Sequence, residues 1–72
     1  MSNIGMHLKA IRKAKKILQK DVAKFLQVPL RTYQSYEYGE VEPSIDTMIR
    51  LAGYFEVSTD YLLGLSVDPL RR

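Results

Sequence analysis

Apolar residues recur along this chain at helical rather than strand spacing, and the recurrence breaks at regular points. A first helix is predicted from Met6 to Lys16. Leu8, Ile11 and Ala14 form its inward stripe, with Lys9, Arg12, Lys13, Lys15 and Lys16 around them. A second is predicted from Gln19 to Leu26, with Val22, Ala23 and Leu26 facing one way. Gln27-Val28-Pro29 then interrupts the pattern. Proline is tolerated in a first helical turn but not in an interior, so Pro29 marks the start of a third helix, running to Tyr38 with Tyr33 and Tyr36 inward. Gly39 closes it, because glycine takes the left-handed conformation without penalty. After the loop Glu40-Val41-Glu42-Pro43, Ser44 caps a fourth helix. Asp46 sits in its first turn, and Ile45, Met48, Ile49, Ala52 and Phe55 are expected to be buried. Ser58 caps a short fifth helix carrying Tyr61, Leu62 and Leu63, which ends at Gly64. The fold class is therefore all-α: a compact five-helix domain over residues 6–64, between a flexible N-terminus (1–5) and a C-terminal tail (65–72) that contains Pro69.

Composition narrows the function. A chain of 72 residues buries only about 60% of the surface it exposes when unfolded, which leaves little room for a catalytic cavity. There is no cysteine, so neither disulfides nor thiolate metal sites are available, and no cofactor or metal is expected. The N-terminus lacks the apolar run of a signal peptide, and no stretch approaches the roughly 20 apolar residues of a membrane span. A cytoplasmic protein with no membrane partner is expected. His7, the single histidine, is expected at the surface. No phosphate-binding glycine loop or ligand cluster appears, so the chain is not read as an enzyme.

Charge adds direction. The net charge is +3, but residues 1–39 carry eight basic and two acidic side chains, whereas 40–72 carry three basic and six acidic. One basic half points to a polyanion on one side only, although a lysine-rich helix is often no more than a solvated face.

Two short helices joined by a tight break, the second opening at Pro29, match the layout of a helix-turn-helix between Gln19 and Gly39. A helix fits the major groove, where each base pair shows a distinct donor and acceptor pattern. With Tyr33 and Tyr36 inward, the third helix leaves Leu30, Arg31, Gln34 and Ser35 facing out. Arg31 can donate twice to guanine, or instead bind a phosphate with no sequence content. Leu30 can meet a thymine methyl or shield the turn, and Gln34 can read adenine.

The segments "LKAIRKAKKILQKDVAKFLQV", "RTYQSYEYG" and "EPSIDTMIRLAGYFEVSTDYLLG" stand in order between Leu8 and Gly64. Together they resemble the Xre-like family, the five-helix DNA-binding domains of phage repressors and Cro proteins. The resemblance implies double-stranded DNA as the partner and Leu30, Arg31, Gln34 and Ser35 as the base-reading residues. It also implies phosphate or backbone contacts by Gln19, Lys20, Thr32 and Tyr38, with Gln19 bracing the recognition helix as well, and an ion pair between Arg12 and Glu37. Three positions depart from the family pattern. Gln27 stands where glycine is usual, which implies a different turn, because a left-handed non-glycine residue costs roughly 1–2 kcal/mol. Pro29 replaces a side-chain cap, a loss of about 1 kcal/mol. Phe25 replaces a polar residue and is expected to be partly exposed.

The expected function is a transcriptional repressor acting as a homodimer on a near-palindromic operator, since one copy buries little surface on DNA. Tyr61, Leu63, Leu65, Val67 and Leu70 are the candidate dimer surface, unless they only close the monomer core. The competing reading is a protein-interaction module, such as an antitoxin or the partner of another regulator, in which the apolar tail does the work.

Overall fold

The computed structural model describes residues 4–65. Five helices follow one another: α1 (Ile4–Ala14), α2 (Gln19–Leu26), α3 (Leu30–Tyr38), α4 (Ile45–Phe55) and α5 (Thr59–Leu62). There is no strand among the described residues. α3 packs against both α1 and α2, and α5 ties α4 back to α1. Leu8, Val22, Tyr33, Leu51, Phe55 and Leu62 are the largest fully buried side chains at the centre.

All five helices close in the same way. The residue after the last turn takes a left-handed conformation at Lys16, Gln27, Gly39, Glu56 and Gly64. The next amide reaches back five residues, as Ile17 does to Arg12 O (3.1 Å) and Val28 to Ala23 O (3.1 Å). Only two of the five positions are glycine. Lys16, Gln27 and Glu56 hold φ of 59°, 60° and 59°. Each is followed by a β-branched apolar residue, Ile17, Val28 or Val57, that packs on or within the core. The two glycine closures are followed by exposed residues, Glu40 and Leu65. Docking of the following residue thus offsets the steric cost of the left-handed side chain. This corrects the expectation of a different turn at Gln27, where the family's turn forms without its glycine. Gln27→Gly should relieve that strain of about 1–2 kcal/mol. It also frees the unfolded chain by about 0.4–1 kcal/mol. The net expectation is a thermal midpoint a few degrees higher in a circular dichroism melt; a lower midpoint would show that the Gln27 side chain holds the turn.

Several boundaries and faces move from the sequence reading. α1 begins at Ile4 rather than Met6, because Gly5 is buried against α3. It ends before Lys16, and Ala14 is exposed; the face turned to α3 carries Gly5, Leu8 and Arg12 instead. α4 buries Leu51, Ala52 and Phe55, with Met48 half-buried, whereas Ile45 and Ile49 are 74% and 54% exposed. The buried stripe at 48, 51, 52 and 55 leaves Ile49 on its flank and Ile45 in the first turn, beyond the rim of the core. Tyr36 is half-buried, its ring edge-on to Tyr33 at 6.3 Å. His7 is not a free surface residue: it is half-buried, with its ring facing Gly64. Ser44 and Ser58 accept from the Thr47 and Tyr61 amides at 3.1 and 3.0 Å, capping α4 and α5.

Candidate nucleic-acid interface

α3 starts where Pro29 fixes φ at −59° with no side-chain cap, and the Thr32 amide donates to Pro29 O at 2.9 Å. Its inward line is Tyr33 and Glu37, one turn apart, both buried. Glu37 is the centre of a bonded network. Arg12 of α1 grips it with a fork, Nε donating to Oε2 at 2.6 Å and Nη2 to Oε1 at 3.2 Å. The remaining Arg12 donor group closes on Ile17 O at 2.9 Å. Gln19, the first residue of α2, donates to Glu37 Oε1 at 3.0 Å and accepts from Gln34 Nε2 at 3.2 Å. A single chain of bonds therefore links α1, α2 and α3.

The electrostatics follow from this geometry. Burial alone pushes the Glu37 carboxyl up, but the fork from Arg12, helped by the bond from Gln19, outweighs it and holds the group below the usual carboxylate range. The same contact raises Arg12. Burial, and then the neighbouring Glu37 charge, drives the Tyr33 phenol well above its ordinary ionisation range. The back of α3 is thus a fixed anion neutralised by a fixed cation, and it presents no net charge to the outer face.

That outer face is mixed. Leu30 is 42% and Tyr38 62% exposed. Arg31 is exposed and bonds to no other described residue. Thr32, Gln34 and Ser35 are half-buried. Gln34 gives one amide hydrogen to Gln19 and keeps its carbonyl and second N–H. The Ser35 hydroxyl donates to Thr32 O at 2.6 Å, so its oxygen is left as an acceptor. Lys20 is exposed beside Gln19, and Leu18 supplies no side-chain cap; the Asp21 amide turns back to Leu18 O at 3.0 Å, which leaves the Gln19 and Lys20 amides at the start of α2 open. Lys9, Lys13, Lys15, Lys16 and Lys24 are exposed as well. The resemblance makes Gln19 a brace on the recognition helix, as found, but the partner Gln34 is not legible in the sequence; a glutamine facing a glutamine leaves no periodic or charge signal.

The proposed dimer residues do not form one exposed set. Tyr61 is half-buried against the core, Leu63 and Leu65 are 36% and 75% exposed, and Val67 and Leu70 lie outside the described residues. Among the described residues no group of acidic or histidine side chains could hold a metal ion, and no helix is long and apolar enough to cross a membrane.

The profile of the helix-turn-helix family matches residues 8–62, from the first core leucine to the last. This chain belongs to the Xre/Cro-like helix-turn-helix family. The family is one of DNA-binding transcriptional regulators, not enzymes. Similar proteins include the uncharacterized HTH-type transcriptional regulator YobD of Bacillus subtilis (strain 168), 36% identical over 62 residues, covering 86% of this chain and 55% of that protein. The HTH-type transcriptional regulator ImmR of the same organism is also 36% identical over 62 residues, with 86% and 49% covered. A crystal structure of a transcriptional regulator from Listeria innocua superposes with a TM-score of 0.81 at 34% identity, covering 90% of this chain and 61% of that one. The chain spans about half the length of the curated relatives it matches.

Proposed function

We propose that this helix-turn-helix chain, through the unit at residues 6–64, is the sequence-specific DNA-binding part of a cytoplasmic transcriptional repressor. It recognises a near-palindromic operator as a homodimer. The observation that carries the reading is the two-sided character of α3: Tyr33 and Glu37 anchor it from behind, while Leu30, Arg31, Gln34 and Ser35 face away from the core. A helix held this rigidly can place donors and acceptors in the major groove with little ordering cost. Gln19, Lys20, Thr32 and Tyr38 flank it and serve as phosphate and backbone contacts. Leu63 and Leu65, together with Tyr61, Val67 and Leu70, supply the contact between copies.

Selection of bound duplexes from a random pool tests the reading. The expected product is a paired motif with half-sites about one helical turn apart. Binding should weaken steeply with salt, by about 0.9 in the log–log slope for each neutralised phosphate. A pool that yields no preferred site would favour the protein-interaction module instead. Arg31→Ala should relax preference at one base pair, by about 1–3 kcal/mol of discrimination, when the wild-type and variant motifs are compared. Uniform weakening across all sites would make Arg31 a phosphate contact.

A further inference from the structure

The end of α2 is held by α4 through a cluster that neither the sequence reading nor the family match assigns. Phe25, in the last turn of α2, is 37% exposed. Its carbonyl belongs to the final turn, where no intrahelical donor is available. Arg50 of α4 supplies one, with Nη2 donating to Phe25 O at 3.2 Å. The same guanidinium sits 5.3 Å from the centroid of the Phe25 ring. One helical turn further along α4, the Tyr54 ring stacks on Phe25 with centroids 4.4 Å apart and planes 29° from parallel. Tyr54 in turn meets Phe55 edge-on at 5.4 Å, and Phe55 is fully buried. A continuous path of rings therefore runs from the core to Arg50 at the surface.

The position of this cluster gives it a role. Phe25 lies two residues before Gln27, whose left-handed conformation turns the chain into α3. We propose that Arg50 is a positioning residue for the recognition helix: with Phe25 and Tyr54 it clamps the last turn of α2 to α4 and so fixes the base from which α3 projects. The charge pattern alone would suggest another use. Arg50 is the only cation of the acidic half that lies among the described residues, and an exposed arginine invites assignment to a phosphate. Its geometry opposes that, because one donor is engaged by a carbonyl and the guanidinium lies over an aromatic ring.

The inference rests on the DNA-binding reading, and its test uses two readouts, one of which needs no DNA. With the full chain and its selected duplex, Arg50→Ala should weaken binding roughly 3- to 10-fold, the range expected for loss of an exposed cation–π contact and its bond. The salt slope should stay unchanged. Hydrogen exchange at the Gln27 and Val28 amides, which close the turn onto Lys24 O and Ala23 O, should quicken while amides in α1 do not. Phe25→Leu, which keeps apolar bulk without the ring, should reproduce these changes. The double variant should be no worse than the weaker single, since both remove one interaction. A slope lowered by about 0.9 with the turn amides unchanged would make Arg50 a phosphate contact and overturn the proposal. Unchanged affinity, or faster exchange throughout the chain, would overturn it too. Should the chain bind no duplex at all, the functional reading fails, and the local exchange at Gln27 and Val28 alone decides whether the clamp exists.

Discussion

Replacing Arg12 by methionine should destabilise the domain by about 3–5 kcal/mol, because removing one partner of a buried ion pair leaves the other charge uncompensated. The Glu37 side chain is fully buried and the Arg12 side chain is 10% exposed. Small single-core domains hold only about 3–5 kcal/mol in total. The variant should therefore be largely unfolded in urea titrations from the lowest concentrations. The double variant Arg12→Met/Glu37→Leu should recover much of the loss, since an apolar pair of similar volume needs no desolvation to be repaid. A single variant as stable as the wild type would mean that Glu37 relaxes to solvent and that the pair does not anchor α3.

The pH dependence gives the same test a sign. In the wild type the Glu37 carboxyl is held below its unfolded value of 4.5. Its contribution is fully present above that pH and is lost as pH falls through the lower folded value. Without Arg12, burial should outweigh the single remaining bond from Gln19, and the folded value is expected to move above the unfolded one. The variant should then gain stability as pH falls toward 4.5, opposite to the wild type in that window.

Gly5→Ala should lower the thermal midpoint, by up to roughly 15 °C once the opposing helix propensity is taken off. Helix propensity argues the other way, since alanine is better than glycine in a helix by about 1 kcal/mol. Contact decides the outcome. A methyl carbon at Gly5 would lie 2.5 Å from the carbonyl oxygens of both Tyr36 and Glu37 and 2.9 Å from the Glu37 carbonyl carbon. These are backbone atoms of α3 and have no rotamer to yield. Pushing α1 away from α3 costs about 1–3 kcal/mol as overpacking, and each kcal/mol moves the midpoint of a domain this size by about 4–8 °C. It also pulls Arg12 away from Glu37, so the two predictions share one interface. A raised midpoint in a circular dichroism melt would show that α1 can slide along α3.

How much was legible depended on whether a local signal carried the feature. α2 was read to the residue, because the glutamine at its start and the break at Gln27 frame a clean stripe. Ser44 and Ser58 announced α4 and α5 by cap chemistry, and Gly39 closed α3 as glycine does. The α4 face is ambiguous in the sequence. Its apolar residues at 45, 48, 49, 51, 52 and 55 contain two overlapping stripes, and only packing against the other helices selects Leu51 over Ile45 and Ile49. Gly5 carries no local sign of its role, because a glycine near a terminus reads as loose chain; its contact is with residues more than thirty positions away. The Arg12–Glu37 pair came from the family resemblance and not from any periodicity. The cluster of Phe25, Arg50 and Tyr54 left no trace beyond an aromatic at an unexpected place.

The alternation of faces on α3 has a consequence for divergence. The residues that hold the helix, Tyr33 and Glu37, share no position with those proposed to meet the groove. Leu30, Arg31 and Ser35 can be exchanged with little disturbance to the core, so a lineage of such proteins can drift from one operator to another while keeping one scaffold. Gln34 is the exception. Its amide is tied to Gln19, and through Gln19 to Glu37. If Gln34 reads a base as proposed, change there would alter recognition and bracing together, which would make position 34 the slow one on that face.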